Sequence, residues 1–285
     1  MGRVKGSMLI LHLLTAWLDV LLTILVVPVI FFAVPAGYPL GLLVYLGVSP
    51  TVMLYLFYFS MFFLLVNIVC FFENRYNYLV RHDSDTPSRK MKRSILYFFN
   101  YFQAFICVLL FLNGGGVDGY SEVVLQTLPC LPRKILENSN FYTITLDLRY
   151  TVPAVIFYVS FVWGQIGFYF TATSYHLYRT KAQSSRTSRL QKQFFKTLCV
   201  QISVPFCFFM IPATYFIYTF FSESFDMSLN TLGLIVASSH GLVSTLIMLL
   251  AHKPYREATL EFFGIRRNVN TVSFLVPKPS ISNVK

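Results

Sequence analysis

The stretch SSHGLVSTLIMLLAHKPYR, residues Ser238 to Arg256, decides the fold of this chain. Together with the residues from Ser228 onward it gives about 24 positions without a charge, and roughly 20 are enough to cross the hydrocarbon core of a bilayer. Pro254 ends the helical pattern, so that Lys253 and Arg256 lie at the level of the lipid headgroups. The stretch therefore predicts a membrane span with a defined cytosolic end.

Composition extends this interpretation to the whole chain. Of the 285 residues, 55% are hydrophobic and only 12% are charged, which excludes an ordinary soluble domain of this size. We predict an all-α polytopic membrane helix bundle over residues 1–267 and a disordered cytosolic tail at residues 268–285. Six spans are predicted, at about residues 8–33, 48–72, 94–112, 150–178, 196–221 and 228–251.

Basic residues are sorted to one side of these spans. Of the 23 lysines and arginines, 20 fall before the first span, in the second and fourth connections, or after the sixth span. The positive-inside rule places these segments and both termini in the cytosol, which requires an even number of spans. The net charge of +11 therefore indicates topology and contact with the anionic lipid bilayer, and not nucleic-acid binding.

Polar side chains inside the spans are expected to face other helices, because lipid cannot satisfy their hydrogen bonds. Asp19 is the only acid within a predicted span, and His12 lies two turns earlier on nearly the same helix face. We expect Asp19 to point into the bundle, either as a hydrogen-bond node or as an ion or proton site. Ser60 and Asn67 are its expected partners, and the other intramembrane polar residues are Ser238 and His240.

Motifs for catalysis and metal binding are missing from the sequence. It contains no HExxH, GxSxG or P-loop motif and no pair of intramembrane aspartates, so we predict that the chain is not an enzyme. No cysteine pair joins a histidine pair at the spacing of metal ligands, which predicts no metal site. Of the five cysteines only Cys130 lies in an outer connection, so no disulfide within the outer connections is expected.

Several motifs, in order along nearly the whole chain, resemble the nematode serpentine receptors of class H, a family of seven-span chemoreceptors of the G-protein-coupled type. The motifs are MLILH at 8–12, AWLDV at 16–20, AGYPLGLL at 36–43, FFENRYN at 71–77, LPCLP at 128–132, SHGLVST at 239–245 and HKPYR at 252–256. In the family, the counterpart of MGRVKGSMLILH follows a first span. The six spans are therefore expected to be equivalent to spans two to seven of a rhodopsin-like receptor. The chain as written is expected to lack the first family helix, as a shortened isoform, a gene-model truncation or a decayed gene copy.

The resemblance also implies which residues respond to activation and meet a G protein. Arg75 and Tyr76, preceded by Glu73 and Asn74, resemble the Asp/Glu-Arg-Tyr element at the cytosolic end of a receptor helix; an ordinary membrane anchor is the alternative. A Glu73 to Arg75 pair is not expected, since residues two apart do not share a helix face. Asp19 resembles a buried aspartate beside which a sodium ion sits in such receptors, and no other cofactor is expected. The further residues expected to face the G protein are Arg186, Arg189, Lys192, Pro254, Tyr255 and Arg256, with a surface helix at 255–265.

A ligand is expected to enter from the outside, between the outer halves of the spans. An apolar, aromatic cavity suits a small volatile or lipophilic molecule. The resemblance therefore implies a chemosensory receptor that signals through a heterotrimeric G protein in the plasma or ciliary membrane of sensory neurons. A six-span transporter or channel that uses Asp19, and a nonfunctional truncated product, are the alternatives; the oligomeric state is not indicated. The expected ligand-binding residues are Tyr55, Tyr58, Phe157, Tyr215, Tyr218, Asn230 and Leu234.

Overall fold

The structure, a computed structural model, describes most of the chain and divides it into two compact units, Met1–Thr245 and Leu246–Lys285. The described residues are 2–31, 36–81, 83–112, 124–125, 132–136, 138–143, 148–179, 226–251, 253–262 and 264, with scattered positions between 192 and 222.

Helices make up most of the described chain. They are α1 (Gly2–Val20), α2 (Leu42–Tyr45), α3 (Pro50–Leu79), α4 (Pro87–Leu112), α5 (Arg133–Leu136), α6 (Leu148–Arg179), α7 (Met227–Ser238), α8 (His240–Ala251) and α9 (Lys253–Phe262). Within the described residues, four helical segments are long and apolar enough to cross a membrane: α3, most of α4, most of α6, and Met227–Ile247 in α7 and α8. The segment Leu9–Leu25 is apolar but shorter. The chain is a polytopic membrane helix bundle.

Helix α3 is the centre of this bundle. Its start is fixed by Ser49, whose side chain accepts a hydrogen bond from the Val52 backbone, and by Pro50 in the first turn. It packs against α1, α4 and α6, and α4 also packs against α6. Buried side chains from α3, α4 and α6 form one hydrophobic core, which includes Val66, Val108 and Val162. The ends of these packed helices therefore hold polar groups of different helices close together.

Within the described part of the first predicted span, residues 8–33, the helix ends at Leu25 and a strand follows. Helix α1 continues into a π-helical turn at Leu21–Leu25, and strand β1 (Pro28–Phe31) then pairs antiparallel with β2 (Ala36–Pro39). Pro28 cannot donate a helical hydrogen bond and disfavours helix at Val27, whose φ is +42°. The residues that follow Pro28 are β-branched or aromatic and favour a strand. Strand β2 also pairs with β3 (Tyr142–Thr143).

The predicted last span, residues 228–251, consists of two half-helices. Asp226 caps the start of α7, because its Oδ1 accepts hydrogen bonds from the backbone amides of Ser228 and Leu229 at 2.7 and 3.1 Å. Helix α7 ends at Ser238, Ser239 forms a turn, and α8 begins at His240. The helical pattern is thus interrupted in the middle of a segment that is long enough to cross the membrane.

Two predicted segments lie partly or wholly outside the described residues. Between residues 192 and 222 the described positions are helical, in the region of the predicted span 196–221. The predicted disordered tail, 268–285, lies outside the described part. In the second unit, α9 (Lys253–Phe262) occupies most of the predicted surface helix 255–265, with Pro254 in its first turn, where a proline is tolerated. Gly264, with a φ of +72°, closes this helix by donating to the Glu261 carbonyl.

Candidate functional site

A buried carboxylate, Glu73, lies near the end of α3 and receives hydrogen bonds from three side chains of α4. Its side chain is 0% exposed. Arg89 Nη2 donates to Oε1 at 2.9 Å, and Arg93 Nε donates to Oε2 at 2.8 Å. The Tyr97 hydroxyl donates to Oε2 at 2.5 Å. These donors replace the water that the carboxylate loses on burial.

Two asparagines of α3 complete this group, which we call the Glu73 cluster: Glu73, Asn74, Asn77, Arg89, Arg93 and Tyr97. Asn77 Oδ1 accepts from Arg89 Nε at 2.9 Å, and Asn74 Oδ1 accepts from Arg93 Nη2 at 2.8 Å. Each guanidinium therefore bridges the carboxylate and an amide. Because 17% of the Arg89 side chain and 16% of the Arg93 side chain are exposed, the cluster reaches the surface only at its edge. It fastens the end of α3 to the start of α4.

Sequence reasoning identified Glu73 and Asn74 but missed the α4 half of the cluster. Arg89, Arg93 and Tyr97 are spaced four residues apart, which places them on one face of α4. This spacing was a usable signal, since a basic and aromatic stripe within an apolar helix needs a polar partner.

The other residues expected to respond to activation have separate surroundings. The Arg75 guanidinium carbon lies 5.6 Å from the centroid of the Phe71 ring. The Tyr76 ring contacts Tyr169 of α6, with the ring centroids 5.5 Å apart. Lys192 Nζ lies 5.0 Å from the ring centroid of Tyr178. In the second unit, Arg256 donates to the Leu250 carbonyl at 3.4 Å, whereas Arg186, Arg189 and the side chains of Pro254 and Tyr255 lie outside the described part.

Asp19 of α1 and His240 of α8 form a second polar site. His240 Nε2 lies 3.1 Å from Asp19 Oδ1, and Nδ1 lies 2.7 Å from the carbonyl oxygen of Ala237. The His240 side chain is 0% exposed, whereas 27% of the Asp19 side chain is exposed. Gly241 permits this approach, because a Cβ at that position would fall on the Asp19 carboxylate. The turn at Ser239 places His240 at the start of α8. Because Gly241 has no Cβ, the Asp19 carboxylate of α1 has space to approach this end of the helix.

The polar residues expected beside Asp19 bond elsewhere. Ser60 accepts a hydrogen bond from Trp17 Nε1 at 3.0 Å, and Asn67 donates to the Phe63 carbonyl at 2.8 Å. Ser238 donates to the Ile235 carbonyl at 3.0 Å. His12 is partly buried on α1.

The neighbours of Asp19 bear on the sodium ion that was expected there. Hard cations such as Na⁺ take several oxygen ligands, whereas the neighbour that the structure gives Asp19 Oδ1 is an imidazole nitrogen. Within the described residues, no group of three or more His, Cys, Asp or Glu side chains is arranged to hold a metal ion.

The expected ligand-binding residues do not converge on one cavity in the described part of the chain. Tyr215 and Tyr218 line an open groove of about 550 Å³, together with Met210, Ile211 and Thr214. Elsewhere, Tyr58 packs against Leu54 and Tyr142, and 65% of the Phe157 side chain is exposed on the outside of α6. Asn230 is buried and donates to the Ile30 carbonyl of β1 at 2.8 Å, while Tyr55 and Leu234 are partly buried.

Comparison with known proteins places the chain in a family. The family model described as "Serpentine type 7TM GPCR chemoreceptor Srh" matches residues 1–265. The chain belongs to the Srh family. This match confirms the resemblance drawn from motifs such as FFENRYN and HKPYR, and makes the Srh chain a multi-pass membrane protein of a chemoreceptor family and not of an enzyme family.

A curated nematode relative is also a serpentine receptor. "Serpentine receptor class r-10" of Caenorhabditis briggsae is 31% identical to the Srh chain over 121 residues. The match covers 42% of the Srh chain and 33% of the relative, so the Srh chain spans about a third of the length of that protein. No solved structure matches the Srh chain.

Proposed function

We propose that this Srh-family chain binds a small volatile or lipophilic molecule between its helices and signals to a cytosolic heterotrimeric G protein. The Glu73 cluster is the observation that carries this proposal. Its two arginines and its carboxylate are largely buried. Glu73 and Asn74 of the cluster directly precede Arg75 and Tyr76 in the sequence of α3. A shift of α3 against α4 must exchange these ion pairs for others or for water, so the helix ends favour discrete arrangements over a continuous slide. Ligand binding changes the populations of these arrangements.

The groove beside Tyr215 and Tyr218 is the ligand site that this proposal uses. Its described walls are largely apolar, which suits an uncharged lipophilic molecule. The Tyr215 hydroxyl donates to the Asp226 carbonyl at 2.8 Å and accepts from the Asp226 amide at 3.2 Å. Since Asp226 also caps α7, a ligand that displaces Tyr215 changes the start of the helix that ends just before His240.

Ligand-evoked signalling in a heterologous cell tests the proposal. A panel of small volatile and lipophilic compounds is applied to cells that express the full chain with a G-protein reporter. We expect a response that Arg75→Ala abolishes and Tyr215→Phe weakens, each at an equal surface level. Arg81→Ala is the matched control, because Arg81 lies in the α3–α4 connection, pairs with Asp83 and is exposed.

One outcome removes Arg75 from the proposal, and another contradicts the proposal itself. A ligand response that Arg75→Ala leaves intact removes the role of Arg75. Ion flux in reconstituted membranes that Asp19→Asn abolishes favours the transporter alternative instead. Localisation in the plasma or ciliary membrane of sensory neurons belongs to the same proposal and is checked by imaging a tagged chain.

A further inference from the structure

The contacts of the two His240 ring nitrogens indicate how many protons the Asp19–His240 pair holds. Nδ1 lies 2.7 Å from the carbonyl oxygen of Ala237, and a carbonyl oxygen can only accept, so Nδ1 carries a proton. A neutral imidazole has one protonated nitrogen, which leaves Nε2 as an acceptor. Nε2 nevertheless faces Asp19 Oδ1 at 3.1 Å, and an ionised carboxylate is also an acceptor. The contact therefore requires one further proton, either on Nε2 or on Asp19.

Burial separates this contact from water. Both atoms of the contact, Asp19 Oδ1 and His240 Nε2, are shielded from solvent. Without the proton, two acceptors would face each other where water cannot bridge them, and an unsatisfied buried acceptor loses its full hydration.

We propose that the cation bound at Asp19 is a proton shared with His240, and that this pair excludes sodium. With the proton on Nε2, the imidazolium already balances the carboxylate and repels a second cation at the same oxygen. With the proton on Asp19, the carboxyl group has no charge to attract one.

The neighbouring residues leave His240 as the ionisable partner of Asp19. Among the described residues, the ionisable side chain in contact with Asp19 is His240. Helix α3 packs against α1, and its Ser60, which does not titrate, accepts a hydrogen bond from Trp17, two residues before Asp19. Apart from Asp19, the titratable residue of α1 whose side chain is described is His12, which lies seven residues before Asp19. The hydroxyl-bearing residues near His240 in the sequence are Ser238 of α7, Ser239 of the turn, and Ser244 and Thr245 of α8.

Thermal unfolding of the full chain in lipid nanodiscs tests the exclusion of sodium. The melting temperature is measured in sodium chloride and in choline chloride at equal ionic strength. We expect the same melting temperature in both salts. A site that takes up sodium in the folded state would raise the melting temperature by several degrees in sodium chloride. That increase, lost in Asp19→Asn but kept in the control His176→Ala, overturns the proposal.

Spectroscopy of the same preparation tests the shared proton. Protein labelled with ¹⁵N at histidine reports the protonation of both ring nitrogens, and His240 is assigned by its loss in His240→Asn. We expect Nδ1 to be protonated. We also expect either a protonated Nε2 or an infrared band of a protonated carboxyl group that Asp19→Asn removes. Either of two results overturns the proposal. One is a ring protonated at Nε2 alone, and the other is a neutral ring in a protein that shows no such infrared band.

Discussion

Replacing Glu73 by glutamine tests how strongly the Glu73 cluster holds α3 to α4. The substitution keeps the shape of the side chain and one acceptor oxygen but removes the negative charge. Its new amide group is a donor, and it meets Arg93 Nε or the Tyr97 hydroxyl, which are donors in the native cluster. Two guanidinium groups of low exposure then remain with only neutral partners.

The expected loss of stability follows from this geometry. Removal of one partner from a buried ion pair costs about 3–5 kcal/mol. The lower end applies here, because Asn77 and Asn74 still accept from Arg89 and Arg93 and the edge of the cluster reaches the surface. At about 2–4 °C per kcal/mol, a loss of about 3 kcal/mol lowers the apparent melting temperature by about 6–12 °C.

The assay is thermal unfolding of the purified chain in nanodiscs, and the control is Arg81→Ala. Arg81 donates two hydrogen bonds of 2.9 Å to Asp83, which lower the pKa of that carboxyl group, but solvent screens this pair. We expect the control to melt like the native chain. Arg93→Met should destabilise more than Arg89→Met, since Arg93 contacts both Glu73 oxygens and Arg89 only one. If Glu73→Gln melts like Arg81→Ala, our account of the cluster is wrong.

Two further predictions concern other helix contacts. Asn100 and Gln165 exchange amide hydrogen bonds of 3.2 and 2.8 Å between α4 and α6, so a double-mutant cycle with alanine should give a coupling energy of about 0.6–1.7 kcal/mol in unfolding assays. Additive effects would contradict this pairing. Gly241→Ala should cost about 1–3 kcal/mol and reduce the monodisperse fraction in size-exclusion chromatography, because its Cβ overlaps the Asp19 carboxylate. Gly167→Ala, with nothing within 4 Å of the added carbon, is the matched control, and equal yields would show that the overlap is tolerated.

Length and apolarity were sufficient to locate most of the long helices. Residues 150–178 were predicted as a span, and α6 runs from Leu148 to Arg179. The same criterion failed at residues 28–31, where the apolar run continues but the backbone forms β1. Hydrophobicity cannot separate a buried strand from a helix in a short run, and Pro28 was the local signal that the helix had ended.

Partners that lie on different helices were not predictable from one sequence. Asp19 and His240 were each identified as inward-facing polar residues, but nothing in their spacing says that α1 meets α8. Glu73 was treated as part of a local Arg-Tyr motif, whereas its arginine partners lie 16 and 20 residues further along the chain. Local patterns report which face of a helix is polar; packing decides which other helix that face meets.

The Asp19–His240 contact also bears on how the chain is assembled in the membrane. At about 5–20 residues per second, ribosomes need roughly 10–45 s to synthesise the chain between these two residues. During that interval α1 carries an intramembrane acid whose partner does not yet exist, at a cost of about 2.5–3.5 kcal/mol. This cost persists until α8 is synthesised and His240 becomes available.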